Sequence, residues 1–206
     1  MTTLPAGGSA PGARPEPIER HERPRVEDLP RVCHAVCRRQ RHRGRKLLVH
    51  RQRYTLPDGR RVELDAVRVP AVAYIVPLLD DGRVVLIRQY RPIVDAEIWE
   101  LPAGTIEPGE SPEVCARREL VEEAGYQAGR LESLGEALAD PGLTDEKIYL
   151  FAARDLRAVA RELDADELID VVPRTLAEAY RMADAGEILD AGTLVALYRF
   201  RVRAGS

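Results

Sequence analysis

At 206 residues and 45% hydrophobic, the chain is long enough for one domain with a real core, or one domain with an extension. No stretch approaches the ~20 apolar residues of a membrane span, and the N-terminus has no apolar signal core. Cys33, Cys37 and Cys115 are too few for a disulfide scaffold and fit a reducing compartment, so the expectation is a cytoplasmic protein without a membrane partner.

The net charge of −3 conceals an asymmetry. Residues 1–62 hold 15 Lys/Arg against 6 Asp/Glu, whereas residues 63–206 hold 16 against 28. A nucleic-acid arm, an anionic small substrate, or basic and acidic surfaces meeting in a dimer would each produce it. "CHAVC" (33–37) offers one Cys-x3-Cys with an adjacent His and no second ligand pair, so zinc is not the expectation.

In chain order, residues 1–30 are rich in Pro, Gly and charge and read as a disordered leader. Residues 31–69 form an extension. Its basic run "RRQRHRGRK" (38–46) has no interleaved aromatics and reads as a solvated connector. The β pattern starts at residue 46, where "KLLVHRQRYT" and "RRVELDAVRV" flank the turn "LPDG" as a hairpin.

"AVAYIVPLL" and "RVVLIRQYR" flank "DDG" and read as a second hairpin, its strands buried on both faces. "SPEVCARRELVEEAG" reads as a helix with Ser111 as N-cap, Pro112 in the first position and Gly125 as the stop. A strand in "KIYLFAARDL" follows, then a helix from Thr175 to Gly186 and a last helix in "DAGTLVALYRFRVR". This order gives an α/β sandwich of mixed sheets over residues 70–206.

The first helix carries an unusual charge pattern. At about 100° per residue, Glu119, Glu122 and Glu123 share one arc, while Val114, Leu120, Val121 and Ala124 lie opposite. Docking the apolar stripe on a sheet turns the carboxylates outward together. Arg118 sits beside Glu122, which leaves Glu119 and Glu123 uncompensated on this reading. Clustered hard oxygens of this kind suit Mg²⁺ or Mn²⁺.

Upstream lies "WELPAGTIEPGE". Gly104, then Glu110, then Arg118-Glu119-Leu120-x-Glu122-Glu123-x-Gly125, with five and seven residues between, resemble the Nudix hydrolase signature. The departure is Tyr126, where the pattern has an aliphatic residue. The flanks "RQYR" (88–91), "WELPAG" (99–104) and "DPGLTDEKIYLF" (140–151), with Pro141 sixteen residues after Gly125, resemble its ADP-ribose pyrophosphatase group.

The resemblance implies an α/β/α sandwich and hydrolysis of a nucleoside diphosphate sugar with Mg²⁺, Mn²⁺ being a possible substitute. It implies metal ligands at the Ala103 carbonyl, Glu119, Glu122 and Glu123, with Glu122 also in a catalytic role. Arg118 would orient the glutamates, Gly104 would let the loop approach, and Arg91 with Arg88 would bind the diphosphate. Glu100 would stand on the substrate side and Pro141 would shape the site. The catalytic base would come from "ELDADELIDVV" (162–172), which offers Asp164, Asp166, Glu167 and Asp170; Glu167 is favoured and Asp166 is next.

The resemblance further implies a homodimer, with the extension before residue 70 against the second subunit. Cleavage of ADP-ribose to AMP and ribose 5-phosphate is the leading function. GDP-mannose or another nucleotide sugar is the rival substrate, since only Tyr54 among the N-terminal strands is an obvious base-stacking residue. A non-catalytic nucleotide sensor would have no need of the glutamates. RNA decapping fits poorly with a net-acidic body, so no nucleic-acid partner is expected.

Overall fold

The computed structural model describes residues 34–44, 47–163 and 168–205, and of residues 34–41 the backbone alone. The leader through residue 30 and the acidic stretch 164–167 lie outside the described residues.

The N-terminal strands β1 (His34–Arg43), β2 (Leu48–Thr55) and β3 (Arg61–Arg68) form an antiparallel meander. The basic run is therefore not a connector up to Arg43: it pairs with β2 along its length, Arg39 opposite Arg51 and Arg43 opposite Leu48. β2 and β3 answer the charge question on one face, where Arg51 meets Asp65 at 2.7 and 2.9 Å and Arg53 meets Glu63 at 3.2 Å. The positive N-terminal half is thus partly neutralised by the start of the acidic half within one sheet. The sheet joins the body through an isolated bridge from Val67 to Thr144, and the Val67 amide donates to the Leu143 carbonyl at 2.9 Å.

The second expected hairpin opens. β4 (Val72–Pro77) and β5 (Arg83–Arg91) share the turn, with Leu78 bridging Val84, and then part into two sheets. Both strands are largely buried, and each takes neighbours along both edges in its own sheet. β4 lies between β7 (Ala103–Thr105) and β9 (Lys147–Ala158), and β8 (Tyr126–Leu138) completes that sheet. β5 lies between β6 (Ala96–Glu100) and β10 (Ile169–Thr175). β4 and β9 run parallel, in register from Val72 with Ile148 to Pro77 with Ala153.

Helices cover both sides. α1 (Pro112–Ala124) packs Cys115, Ala116, Leu120 and Ala124 on Ala73, Ile75, Val85 and Phe151. On the opposite side α2 (Leu176–Asp184) and α3 (Ala191–Ala204) pack Met182, Leu197 and Phe200 on Val76, Leu86, Leu101 and Leu150. The expected α/β/α sandwich is what the chain forms. Among the described residues no helix is long and apolar enough to cross a membrane.

Candidate active site

α1 begins and ends as its sequence dictates. The Ser111 hydroxyl accepts the Val114 amide at 3.3 Å, Pro112 opens the helix, and Gly125 closes it in the left-handed region at φ 72°. Its buried arc differs from the wheel. Val114 is 55% exposed, whereas Glu119 and Glu123 are 8% and 2% exposed. The carboxylates do not point outward to solvent; they face the β6–β7 segment, which lies against the helix.

Arg118 is the hub. Its Nη1 donates to Glu119 Oε1 at 2.6 Å and to Glu122 Oε2 at 2.8 Å. Its Nε and Nη2 form a fork on Glu110 at 2.9 and 3.0 Å, and Nη2 also reaches the Thr105 carbonyl at 3.1 Å. Glu119 is therefore compensated, against the sequence expectation. A planar guanidinium spreads several donors and serves three carboxylates at once, which a wheel treating charges as points does not show. The bonded Arg118 holds the Glu110 carboxyl below the usual carboxylate range. Burial pushes the neighbouring Cys115 thiol up to about 12, so it is an inert packing group.

Two further contacts fix the loop against the helix. Glu123 Oε2 accepts the Ala103 amide at 2.8 Å. Gly104 faces Glu119 so closely that a Cβ there would lie 1.9 Å from Oε1. Next to them Arg91 grips Glu100 through two bonds of 2.9 and 2.6 Å, and Glu100 is 3% exposed. Burial raises the Glu100 carboxyl, and the Arg91 charge pulls against it. Burial lowers the Arg91 guanidinium, but Glu100, with Glu123 and Tyr74 behind it, outweighs this and leaves it raised.

The structure thus brings together Arg91, Glu100, Ala103, Gly104, Arg118, Glu119, Glu122 and Glu123. Arg88 stands apart. An odd number of positions from Arg91 along β5, it emerges on the opposite face, where it pairs with Asp170 at 2.9 Å and stacks on Trp99. Pro141 lines a cavity of about 510 Å³ with His50, Gln52, Tyr54 and Leu143, and none of the α1 glutamates lines it. Glu167, Asp166 and Asp164 lie outside the described residues.

Sequence reasoning missed Thr193, Asp190 and Tyr74. Thr193 Oγ1 accepts the Leu101 amide at 2.9 Å, and Asp190 joins the Tyr74 hydroxyl at 3.2 Å to the Thr193 amide at 2.7 Å. The one available signal was Asp190 as an N-cap before an apolar run.

The donors suit a divalent cation. All are hard oxygens, and the missing Cβ of Gly104 lets the Glu119 carboxylate sit directly against the loop. Among the described residues no three acidic, histidine or cysteine side chains converge as a closed cage. Glu119 and Glu122 turn toward Arg118 instead.

The NUDIX domain matches residues 68–191, and the chain belongs to that family. It is 31% identical over 170 residues to an ADP-ribose pyrophosphatase of Bacillus subtilis, covering 82% of this chain and 92% of that one. It is 36% identical over 144 residues to a methanol dehydrogenase activator of Bacillus methanolicus, covering 69% and 78%. A crystal structure of an ADP compounds hydrolase superposes with a TM-score of 0.75 at 26% identity, over 85% of this chain and 95% of that one. The chain is a Nudix pyrophosphohydrolase, and hydrolases of this family use divalent metal cations.

Proposed function

We propose that the chain hydrolyses the diphosphate of ADP-ribose, giving AMP and ribose 5-phosphate, with Mg²⁺ as the ion and Mn²⁺ as a substitute. The observation that carries this is the apposition of Glu119 and Glu123 to Ala103 and Gly104, beside the Arg91–Glu100 pair. The similarity to an ADP-ribose pyrophosphatase over most of both chains supports the choice of substrate.

Glu119, Glu122, Glu123 and the Ala103 carbonyl would hold the ion. A divalent cation there supplies charge neutralisation of the diphosphate and a more acidic attacking water. The chain's own groups do the rest. Arg118 keeps Glu119 and Glu122 in position, and Arg91 offers the half of its guanidinium not engaged by Glu100 to a phosphate oxygen. Glu100 holds that guanidinium at the substrate side, and Glu167, or failing that Asp166, accepts the proton of the water. The loop that follows β8 places Pro141 over the cavity beside the N-terminal sheet.

The proposal includes a homodimer in which the extension 31–69 meets the second subunit, with no nucleic-acid partner, in the cytoplasm. The deciding experiment is phosphatase-coupled phosphate release with Mg²⁺ across ADP-ribose, GDP-mannose, UDP-glucose, NADH and diadenosine polyphosphates. The highest kcat/KM on ADP-ribose is expected. A better nucleotide sugar overturns the substrate while sparing the chemistry, and silence on all of them with both ions would overturn the proposal and favour the nucleotide-sensor reading.

A further inference from the structure

Leu101 and Pro102 belong to neither β6 nor β7, yet they connect Glu100, which holds Arg91, to Ala103, which faces Glu123. Three hydrogen bonds to groups outside the segment fix it. The Ala103 amide donates to Glu123 at 2.8 Å, the Ile75 amide donates to the Pro102 carbonyl at 3.0 Å, and the Leu101 amide donates to Thr193 Oγ1 at 2.9 Å. The last contact comes from the first turn of α3, on the far side of the sheets from α1.

Thr193 is itself tightly held. It is fully buried, and its amide is capped by Asp190, whose other oxygen accepts the Tyr74 hydroxyl. Gly192 makes this approach possible, because a Cβ there would lie 2.2 Å from the Tyr74 ring. The linked groups run from β4 through α3 into the loop. Thr193 also lies outside the segment matched to the family, 68–191.

We propose that Thr193 is a positioning residue of the hydrolytic site: its hydroxyl fixes the Leu101 amide and so sets where Ala103 and the Arg91–Glu100 pair stand against the glutamates of α1. This rests on the assignment of Ala103 and Glu123 to the ion made above. Thr193→Val keeps the shape and removes the acceptor, leaving a buried amide without a partner. The segment then shifts to satisfy it, and small displacements at reacting centres cost rate out of proportion to stability.

The test measures kcat, KM for ADP-ribose, Mn²⁺ affinity by electron paramagnetic resonance without substrate, and the melting temperature. For Thr193→Val, kcat and Mn²⁺ affinity should each fall by about 10- to 100-fold, the range for groups that orient metal ligands, and KM should rise as the Arg91–Glu100 pair moves with the segment. Thr193→Ser, which restores the acceptor, should recover both to within about threefold, since the hydrogen-bond partner is what matters. Wild-type kcat and Mn²⁺ affinity in the Val variant overturn the proposal. So does a loss that merely tracks the unfolded fraction, or a failure of Ser to rescue.

If the Val variant does not fold, Asp190→Asn loosens Thr193 more gently, and unchanged Mn²⁺ affinity there also overturns the proposal. Glu123→Gln, run in parallel, separates the claims. Full activity in that variant sinks the metal assignment itself, whereas its inactivation beside a wild-type Thr193→Val sinks the positioning role alone.

Discussion

Among the described residues Glu123 is one of the most deeply buried carboxylates, and its Oε2 accepts the Ala103 amide. Glu123→Gln keeps an oxygen for Ala103 but removes the charge. Turnover should fall by about 100-fold or more, as when a preorganised electrostatic group is lost, with the circular dichroism melt nearly unchanged. Gly104→Ala makes the complementary prediction. The added methyl meets the buried Glu119 carboxylate that Arg118 holds, so stability should drop by about 1–3 kcal/mol, while the displaced Glu119 should lower kcat at least about 10-fold. A melt and a steady-state assay on one preparation test both statements.

The identity of the glutamates was legible in the sequence because spacing on a helix fixes a shared face. Their partners were not: Ala103 lies 20 positions from Glu123, and Leu101 lies 92 from Thr193. No local pattern encodes contacts over such distances.

At the level of elements, α2 shows how well local rules can read an end. Thr175 accepts the Glu178 amide, and Glu178 returns a bond to the Thr175 amide at 2.9 Å. Thr175→Ala should therefore cost about 1 kcal/mol in a urea titration without affecting hydrolysis at the proposed site on α1. The "EPGE" turn before α1 makes a pH prediction. Arg118 holds Glu110 below its ordinary range, so this tie stabilises the fold above an unfolded carboxyl pKa of about 4.3 and is lost as pH falls through the lower folded value. Melting temperatures from pH 6 to pH 3 should fall more steeply for the wild type than for Glu110→Gln.

The strands were harder to read. Alternation and apolar runs identified β4 and β5, but their short "DDG" connection suggested mutual pairing, whereas their edge partners β9 and β10 lie far along the chain. β6, β7 and β8 gave no separate sequence signal. β7 is three residues long, and β8 alternates irregularly around a bulge between Ser133 and Gly135.

At the scale of the whole molecule, the N-terminal sheet joins the body along the segment before β9. It meets the 140–145 segment through Val67 and through the Arg68–Asp145 pair at 3.5 Å, and its ion pairs on exposed β2 and β3 positions are each worth little. In the proposed dimer this sheet packs on a second subunit. Small-angle scattering should give twice the 23.0 kDa chain mass across a dilution series, and a constant single-chain mass would remove the dimer from the proposal.

The parallel pairing of β4 with β9 carries a consequence for how the protein is made. The signature helix leaves the ribosome well before residues 147–158, yet its central strand has no parallel neighbour until they arrive. β5 waits still longer for β10, and the Leu101 amide waits for Thr193. Pairings this distant in the chain form late and slowly. During synthesis the nascent chain therefore carries every signature glutamate before these pairings exist, and with Thr193 in its proposed role hydrolytic competence should arrive only with the last helix.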